Sequence, residues 1–317
     1  MFTNFLYNPR NTFENAHSAT LCLHKGRIFC TWYIYEEKEH INGKIVISEY
    51  NSRRSSWGEA KVLTDFHGNY GNPVLCSHNN ELILFYVKIS HYWDDAKIYC
   101  MKGEDLDTGK WSAPKAINTP PGMMIRHRPL KVGRQLLMPA YDEKTMTTII
   151  YSISDDSCEW EKYSDLDGHY IQGDLIQIND KEIEIILRAA KDNTKVFRAV
   201  SPNNGKSWNK AIETQLPCPL SGVAAIKFED GPTLVSYNHT LKHKRSPISL
   251  NVSYNAGVNF FEKPLDIEES DTELSYPNML IDEHKNIHMV YTFSRKKIKH
   301  IVTTLDEVEK LIKEKNA

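Results

Sequence analysis

Short segments in which apolar and polar residues alternate recur along almost the whole chain, and they are rich in β-branched and aromatic side chains. Alternation with a period of two, interrupted by turn residues, predicts β-strands. The exception is the segment 305–315, where Val308, Leu311 and Ile312 fall on one side of a charged, helix-like stretch. The pattern therefore predicts an all-β chain that ends in one short helix.

The strands are grouped in a repeat whose spacing lies between 46 and 55 residues. Its six units begin close to residues 17, 72, 126, 172, 222 and 276. One unit of this size holds four short strands and cannot bury its apolar face without neighbours. Residues 1–317 are therefore predicted to form a single six-bladed β-propeller domain. The stretch before His17 is expected to supply the outer strand of the last blade and to close the ring.

Most units end with a polar turn followed by an aromatic residue. The fourth unit has SPNNGKSW at 201–208 and the fifth has SYNAGVNF at 253–260. Both are similar to the Asp-box turn, S-x-D-x-G-x-x-W, with Asn in the Asp position. The Asn side chain and the Gly can close a tight turn, and the aromatic residue can fill the gap between neighbouring sheets. These turns are therefore interpreted as structural.

The charge balance excludes a nucleic-acid binder that depends on bulk charge, because 39 Lys and Arg residues face 41 Asp and Glu residues. No apolar run approaches the roughly 18 residues of a membrane span, and the first ten residues do not resemble a secretory signal. The six cysteines form no CxxC pair and no zinc-like spacing. They are expected to be buried free thiols, which favours a cytoplasmic location, with a leaderless export route left open. No metal or cofactor is expected, and the oligomeric state stays open.

The repeat also predicts where a ligand would bind. In a propeller the innermost strand of each blade begins at one end of the central channel, and the loop between the second and third strands opens at the same end. The strand starts place His17, Asn72, Arg126, Arg128, Gln172, Asp174 and Tyr276 there. The loops add Glu37, Glu39, Asp94, Tyr141, Glu143, Arg188, Arg245 and Arg295. Several guanidinium groups at one mouth suit a carboxylate, so an acidic small ligand is predicted.

The chain resembles a known superfamily in several stretches that occur in a fixed order. These stretches are HSATLCLHKGRIFCTWY, NPVL, HRPL followed by LLMPAY, LSGVAAIKFEDG, and SYPNML followed by IHMVYTFSRKKIKH. With the Asp-box-like turns, they are similar to the sialidase (neuraminidase) superfamily, and more closely to short single-domain proteins built from BNR repeats. The resemblance spans nearly the whole chain and implies the same propeller fold.

The resemblance also implies roles for single residues. In sialidases three Arg residues hold the carboxylate of sialic acid, a Tyr attacks the anomeric carbon, a Glu activates that Tyr, and an Asp is the acid/base. Tyr276 matches the nucleophile, while Arg188 and Arg245 match two of the arginines. Arg128 and Arg295 are further candidates for binding the carboxylate, because of their positions at the mouth.

Two positions depart from the family pattern. His17 lies where the remaining arginine is expected, and it could act as an acid/base or bind an anion. Gln172 lies where the activating Glu is expected, and an amide cannot act as a base. Asp174 is a candidate replacement only if its strand is regular. By loop position alone, the acid/base could be Glu37, Glu39, Asp94 or Glu143. The remaining residues expected in the pocket are Asn72, Arg126 and Tyr141.

Three functions are compatible with this sequence. The first is a sialidase-type exo-glycosidase that removes a terminal acidic sugar, with Tyr276 as nucleophile. The second is a uronate-directed lyase, which needs a carboxylate clamp and a base such as His17 beside Tyr276. The third is a non-catalytic propeller that binds an acidic glycan or a protein partner, which the altered proton-transfer residues favour.

Overall fold

The computed structural model describes residues 1–9, 14–39, 41–64, 68–154, 158–191 and 193–317. Within these ranges the strands form six antiparallel sheets of four or five strands each. The innermost strands of neighbouring sheets pack against one another around a central channel. The six-bladed β-propeller predicted from the sequence is confirmed.

Blades 1 to 3 follow one another along the chain. Blade 1 contains β2 to β6, at Asn15–His24, Arg27–Tyr35, Lys44–Asn51, Ser56–Trp57 and Lys61–Val62. Blade 2 contains β7 to β11, at Asn69–His78, Glu81–Ile89, Lys97–Asp105, Lys110–Trp111 and Lys115–Ala116, with a 3-10 helix at Trp93–Asp95. Blade 3 contains β12 to β16, at Met123–Ile125, Leu130–Val132, Gln135–Asp142, Thr147–Ile153 and Trp160–Asp165.

Blades 4 to 6 complete the ring. Blade 4 contains β17 to β20, at Tyr170–Gln177, Ile183–Ala189, Lys195–Ser201 and Ile212–Pro217. Blade 5 contains β21 to β24, at Ala224–Lys227, Thr233–Tyr237, Ile248–Ser253 and Leu265–Glu268. Blade 6 contains β25 to β27, at Leu274–Ile281, Asn286–Phe293 and Lys297–Thr304, together with β1 at Phe2–Tyr7.

The N-terminal strand β1 closes the ring, as expected from the sequence. It pairs antiparallel with β27 and is therefore the outer strand of blade 6. The chain ends in helix α1, Leu305–Asn316, whose first turn is capped by the Thr304 side chain accepting from the Glu307 N–H. Val308 and Ile312 are its buried residues, so the apolar side predicted from the sequence faces the protein.

Four inner strands share a bulge near their first residues. Ser18, Asn72, Gln172 and Tyr276 have φ values of 57°, 44°, 56° and 55°. The pairing register between the inner and second strands shifts at each of these positions. A left-handed residue interrupts the alternation of side chains between the two faces of a strand. The same local distortion therefore recurs at the channel mouth in blades 1, 2, 4 and 6.

The two Asp-box-like turns close as their sequences indicate. In blade 4 the Asn203 Oδ1 accepts from the Ser207 N–H at 2.9 Å, and the Gly205 N–H donates to Ser201 Oγ at 2.7 Å. Gly205 has φ +84°, which a glycine adopts without a Cβ penalty. Trp208 packs beside residues of blades 3 and 4 and donates its indole N–H to Ser164 Oγ at 3.0 Å. The turn of blade 4 therefore links blade 4 to blade 3.

The cysteines differ in part from the expectation of free thiols. Cys100 on β9 and Cys158, in the segment before β16, form a disulfide between blades 2 and 3. The two residues are 58 positions apart, so only the side-by-side packing of successive blades brings them together. The other four cysteines are free and buried.

In the described part of the chain, no helix has the length and apolar character that crossing a membrane requires.

Candidate functional site

A cavity of about 220 Å³ opens at the end of the channel where the inner strands begin. This mouth pocket is lined by His17, Tyr33, Glu39, Asn72, Tyr92, Trp93, Met124, Tyr141, Glu143, Gln172, Arg188 and Tyr276. Residues from five blades therefore meet in one small space. Three of them, Asn72, Gln172 and Tyr276, are the left-handed residues of inner-strand bulges.

Gln172 joins Tyr276 to Arg188 through hydrogen bonds. The Gln172 Nε2 lies 3.1 Å from the Tyr276 hydroxyl and 3.4 Å from the Tyr141 hydroxyl. The Arg188 Nε–H donates to Gln172 Oε1 at 2.9 Å. Because a guanidinium can only donate, the carbonyl side of the amide must face Arg188, and its NH₂ must face the two phenols. Gln172 therefore donates to the Tyr276 oxygen.

Arg188 and Arg245 converge on one backbone carbonyl. Arg188 Nη1 and Arg245 Nη2 donate to the Leu220 oxygen at 2.7 Å and 3.1 Å. The Arg245 guanidinium also lies 5.7 Å from the centre of the Tyr276 ring. The structure thus brings Tyr276 together with both arginines that the sequence comparison matched to it.

Arg245 and Arg295 share one carboxylate, which sequence reasoning had not singled out. Glu273 accepts from Arg245 Nη1 at 3.1 Å and from Arg295 Nε at 2.8 Å. Arg295 also forms an ion pair with Glu39. Among the described residues, no carboxylate lies within ion-pair distance of Arg188, so of these three arginines it is the one without a carboxylate partner. Glu273 lies three residues before Tyr276. It could have been identified from the sequence by asking which acidic residue near the mouth neutralises the charge of the clustered arginines.

His17 is buried against the nucleophile candidate. Its ring centre lies 4.3 Å from that of Tyr276, and Nδ1 is 2.9 Å from Thr292 Oγ1. Burial, followed by the charges of Arg295, Arg245 and Arg126, holds the pKa of His17 well below its ordinary value. The imidazole is therefore neutral near pH 7 and does not supply the positive charge that an arginine would.

Glu143 lines the mouth pocket and has a raised pKa. Burial raises the pKa of Glu143, and the charges of Asp142 and Asp94 add to the effect while Arg188 opposes it. Burial also raises the pKa of the adjacent Tyr141, with the charge of Glu143 contributing next. A carboxyl group that keeps its proton to a higher pH suits a general acid.

Arg126 lies beneath the pocket and does not line it. Its side chain is 1% exposed and crosses the channel from blade 3 to blades 6 and 1. The guanidinium donates to the carbonyl oxygens of Tyr276, Pro277 and Ala19 at 2.8, 3.0 and 3.3 Å. Burial lowers the pKa of Arg126 to about 10, so the group remains a cation at neutral pH.

Arg128 and Asp174 lie in a different cavity from the one expected. They line a space of about 640 Å³ near the opposite ends of the inner strands of blades 3 to 6. The strand is not regular between Ile171 and Asp174, so alternation does not carry Asp174 to the side of Gln172. Asp174 Oδ2 instead accepts from the Ala225 N–H of the next blade at 2.9 Å and lies 3.2 Å from His127 Nδ1.

Of the remaining residues predicted to lie in the pocket, some line it and others are exposed to solvent. Glu39 lines the mouth pocket, whereas Glu37 and Asp94 are exposed and do not. Asn72 is 5% exposed and lines the pocket at its own bulge. Tyr33 and Met124 line it as well, although the sequence did not single them out. Both lie within strands, where an apolar side chain is expected to belong to the core. No sequence signal therefore distinguishes these two residues from core residues.

The described residues contain no cluster of three or more His, Cys, Asp or Glu side chains arranged to hold a metal ion.

Solved structures with the same fold include a sialidase and a trans-sialidase. The Hadza microbial sialidase Hz136 superposes with a TM-score of 0.80 at 14% identity, over 94% of this chain and 67% of its own. The intramolecular trans-sialidase from Ruminococcus gnavus gives a TM-score of 0.77 at 10% identity, over 96% of this chain and 97% of its own. A Dyadobacter fermentans protein of unknown function gives a TM-score of 0.77 at 13% identity, over 95% of this chain and 97% of its own. At these identities the likeness shows the fold alone.

The family is shown by a match along the sequence. No curated protein sequence matches the chain. A family described as BNR repeat-like domain matches residues 26–289, which is well over half of the chain. The protein therefore belongs to the BNR repeat-like domain family, and its six-bladed propeller is the fold that these solved structures share.

Proposed function

We propose that the mouth pocket is the active site of a glycoside hydrolase that removes a terminal acidic sugar, a sialic acid or a related nonulosonic acid. The observation that carries this proposal is that Tyr276 and Arg188 line one pocket, while Arg245 lies 5.7 Å from the centre of the Tyr276 ring and shares the Leu220 carbonyl with Arg188. Arg188 has a guanidinium without a carboxylate partner among the described residues, and a sugar carboxylate would supply that partner. The cavity of about 220 Å³ is smaller than most ligand pockets, which suits one terminal sugar ring.

Each reacting group has a place in this mechanism. The Tyr276 oxygen forms a bond to the anomeric carbon as the glycosidic C–O bond breaks, and Glu143 gives its proton to the leaving oxygen. A phenol is a suitable nucleophile because it does not carry the charge that would repel the sugar carboxylate. Gln172 already donates to the phenol oxygen, so the phenol proton passes to water in the open pocket. In the second step water attacks the anomeric carbon and gives a proton to the Glu143 carboxylate, the bond to the Tyr276 oxygen breaks, and the phenolate takes back the proton that it released to solvent.

The test is hydrolysis of fluorogenic aryl glycosides of nonulosonic and uronic acids by the purified protein. Turnover is expected with at least one nonulosonic acid, and Tyr276→Phe should abolish it while leaving the thermal midpoint unchanged. Tyr254→Phe, on the exposed outer side of blade 5, is the matched control and should keep full activity. A folded protein that turns over none of the substrates contradicts the hydrolase, and binding without turnover then supports a glycan-binding propeller.

One observation favours a second function, a uronate-directed lyase. His17 is neutral and in ring contact with Tyr276, whose oxygen accepts from Gln172 and can direct its own proton into the pocket. A neutral imidazole can take the proton α to a carboxylate while the phenol protonates the leaving oxygen. An unsaturated product that absorbs in the near ultraviolet, lost in His17→Gln, would identify this reaction and exclude the hydrolase.

The disulfide bears on where this activity would take place. Disulfides persist mainly in oxidising compartments. The Cys100–Cys158 bond therefore supports a site of action where glycans with terminal acidic sugars are exposed, rather than the cytoplasmic location expected from the sequence.

A further inference from the structure

We propose that Arg126 is a positioning residue for Tyr276, which it holds from across the channel in the backbone conformation that presents the phenol to the mouth pocket. The inference rests on the proposed function only in taking Tyr276 as the reacting group. It concerns a residue that does not line the pocket and that approaches Tyr276 from the opposite side of the propeller.

The first observation is the conformation of Tyr276. Its φ is +55°, a region that a bulky residue adopts only when its surroundings hold it there. The register between β25 and β26 runs from Ser275 to Asn278, so Tyr276 and Pro277 lie within the bulge. Their carbonyl groups are therefore released from the regular ladder and need other donors.

Arg126 supplies those donors. One of its nitrogens, Nη2, donates to the carbonyl groups of both Tyr276 and Pro277, at 2.8 Å and 3.0 Å. The other, Nη1, donates to the carbonyl of Ala19, which follows the equivalent bulge residue Ser18 in blade 1. One side chain thus satisfies carbonyl groups at two inner-strand bulges, and both bulges border the mouth pocket.

The second observation is that burying the charged Arg126 side chain costs free energy of folding. Its hydrogen bonds go to neutral carbonyls, and no carboxylate among the described residues forms an ion pair with it. A buried cation that lacks an anionic partner is normally destabilising. A Leu or Met would fill the channel without this cost, but neither could hold the released carbonyls. The guanidinium centre also lies 5.2 Å from the centre of the Tyr276 ring, so the same group contacts the ring and the backbone that carries it.

The experiment measures the environment of Tyr276 directly. 3-Fluorotyrosine is placed at position 276 alone, and ¹⁹F spectra are recorded for the parent protein, Arg126→Met, Arg126→Lys and Arg134→Met. Arg134 is exposed in the β13–β14 turn of the same blade and is the matched control for loss of a positive charge. The parent and Arg134→Met should give one narrow resonance. Arg126→Met should give a shifted, broadened or split resonance, and Arg126→Lys should restore much of the parent spectrum.

Kinetics supply the second readout. With a hydrolysed substrate, Arg126→Met should lower kcat by about 100-fold, the size expected for a misplaced reacting group. KM should change little because Arg188 and Arg245 remain in place. If Arg126→Met does not fold, Arg126→Lys is compared with the parent by the same two readouts, and an intermediate spectrum and rate support the proposal. A folded Arg126→Met protein with the parent ¹⁹F spectrum overturns it; where only Arg126→Lys folds, a spectrum and a kcat that both equal those of the parent overturn it. Because the spectrum needs no substrate, a parent protein without turnover contradicts the proposed function and leaves the ¹⁹F result to decide the role of Arg126.

Discussion

At the scale of single residues, the amide of Gln172 decides which way protons can move in the mouth pocket. Arg188 fixes the carbonyl side of the amide, so the NH₂ side must donate to Tyr276. The phenol oxygen is stabilised by this contact, but its proton has no acceptor in Gln172. Gln172 therefore contacts Tyr276 as a Glu at this position would, but it cannot accept the phenol proton.

This argument predicts the effect of Gln172→Glu. The carboxylate would pair with Arg188 and accept the proton of Tyr276, so hydrolysis should rise by about tenfold or more, in line with a general base. The measurement is kcat/KM on the aryl glycoside that the parent protein hydrolyses best. Gln177→Glu is the matched control, because it adds the same charge near the other end of the same strand, at the 640 Å³ cavity. A folded Gln172→Glu protein that reacts no faster contradicts the assigned proton path.

The sequence predicted part of this site because some of its features are local. Tyr276, Arg188 and Arg245 were found from their positions in the repeat, and they do meet. Asp174 and Arg128 were misplaced because the prediction assumed a regular strand, whereas the inner strand of blade 4 has a bulge and that of blade 3 is interrupted between β12 and β13. The role of Glu273 depends on contacts with Arg245 of blade 5 and with Arg295 in a distant loop of blade 6, so no local pattern could indicate it.

At the scale of elements, β26 and β27 carry a buried chain of hydrogen bonds. The Trp57 indole N–H donates to His300 Nδ1 at 3.0 Å, so His300 must carry its proton on Nε2. That nitrogen is 3.0 Å from His288 Nδ1, and His288 Nε2 is 3.2 Å from Asp282 Oδ2. Each ring is therefore neutral and each tautomer is determined by its neighbour.

This chain predicts that acid destabilises the propeller well above the range in which carboxylates titrate. Burial lowers the pKa of His300 to about 3 and also lowers that of His288. At a pH below the ordinary pKa of histidine, the imidazole binds a proton in the unfolded chain but not in the folded chain. The free energy of unfolding therefore falls as the pH falls. For His300 alone the loss between pH 7 and pH 5 is about 2 kcal/mol.

Urea unfolding at pH 7 and pH 5 checks this. The parent protein should lose stability on acidification, and His300→Gln should remove about 2 kcal/mol of that loss, although it is less stable at pH 7. His284→Gln, in the exposed β25–β26 turn, is the control and should behave as the parent does. Equal pH dependence in the parent and His300→Gln would show that the buried imidazoles do not control acid stability.

At the scale of the whole molecule, strand β1 holds the two ends of the propeller together. It pairs with β27 of blade 6, while Tyr7 contacts Trp32 of blade 1 with ring centres 5.4 Å apart. Leu6 is buried in the cluster between blades 1 and 6. The sequence predicted this closure from the unpaired N-terminal stretch, because a ring of six similar units leaves its last sheet short of one strand. It could not predict the Cys100–Cys158 disulfide, because that bond depends on how two neighbouring blades are rotated against each other.

Closure by a separate strand predicts that β1 can be removed and then restored. A chain that begins at Glu14 should lose at least about 2 kcal/mol, the value of burying the Leu6 side chain alone, and should aggregate more readily because the edge of β27 is exposed. A synthetic peptide of residues 1–9, added in excess, should raise the thermal midpoint of the truncated protein in proportion to the logarithm of its concentration. A peptide of the same composition in scrambled order is the control. A truncated protein as stable as the parent, or one that responds equally to both peptides, would show that the ring is held by blade-to-blade packing without the N-terminal strand.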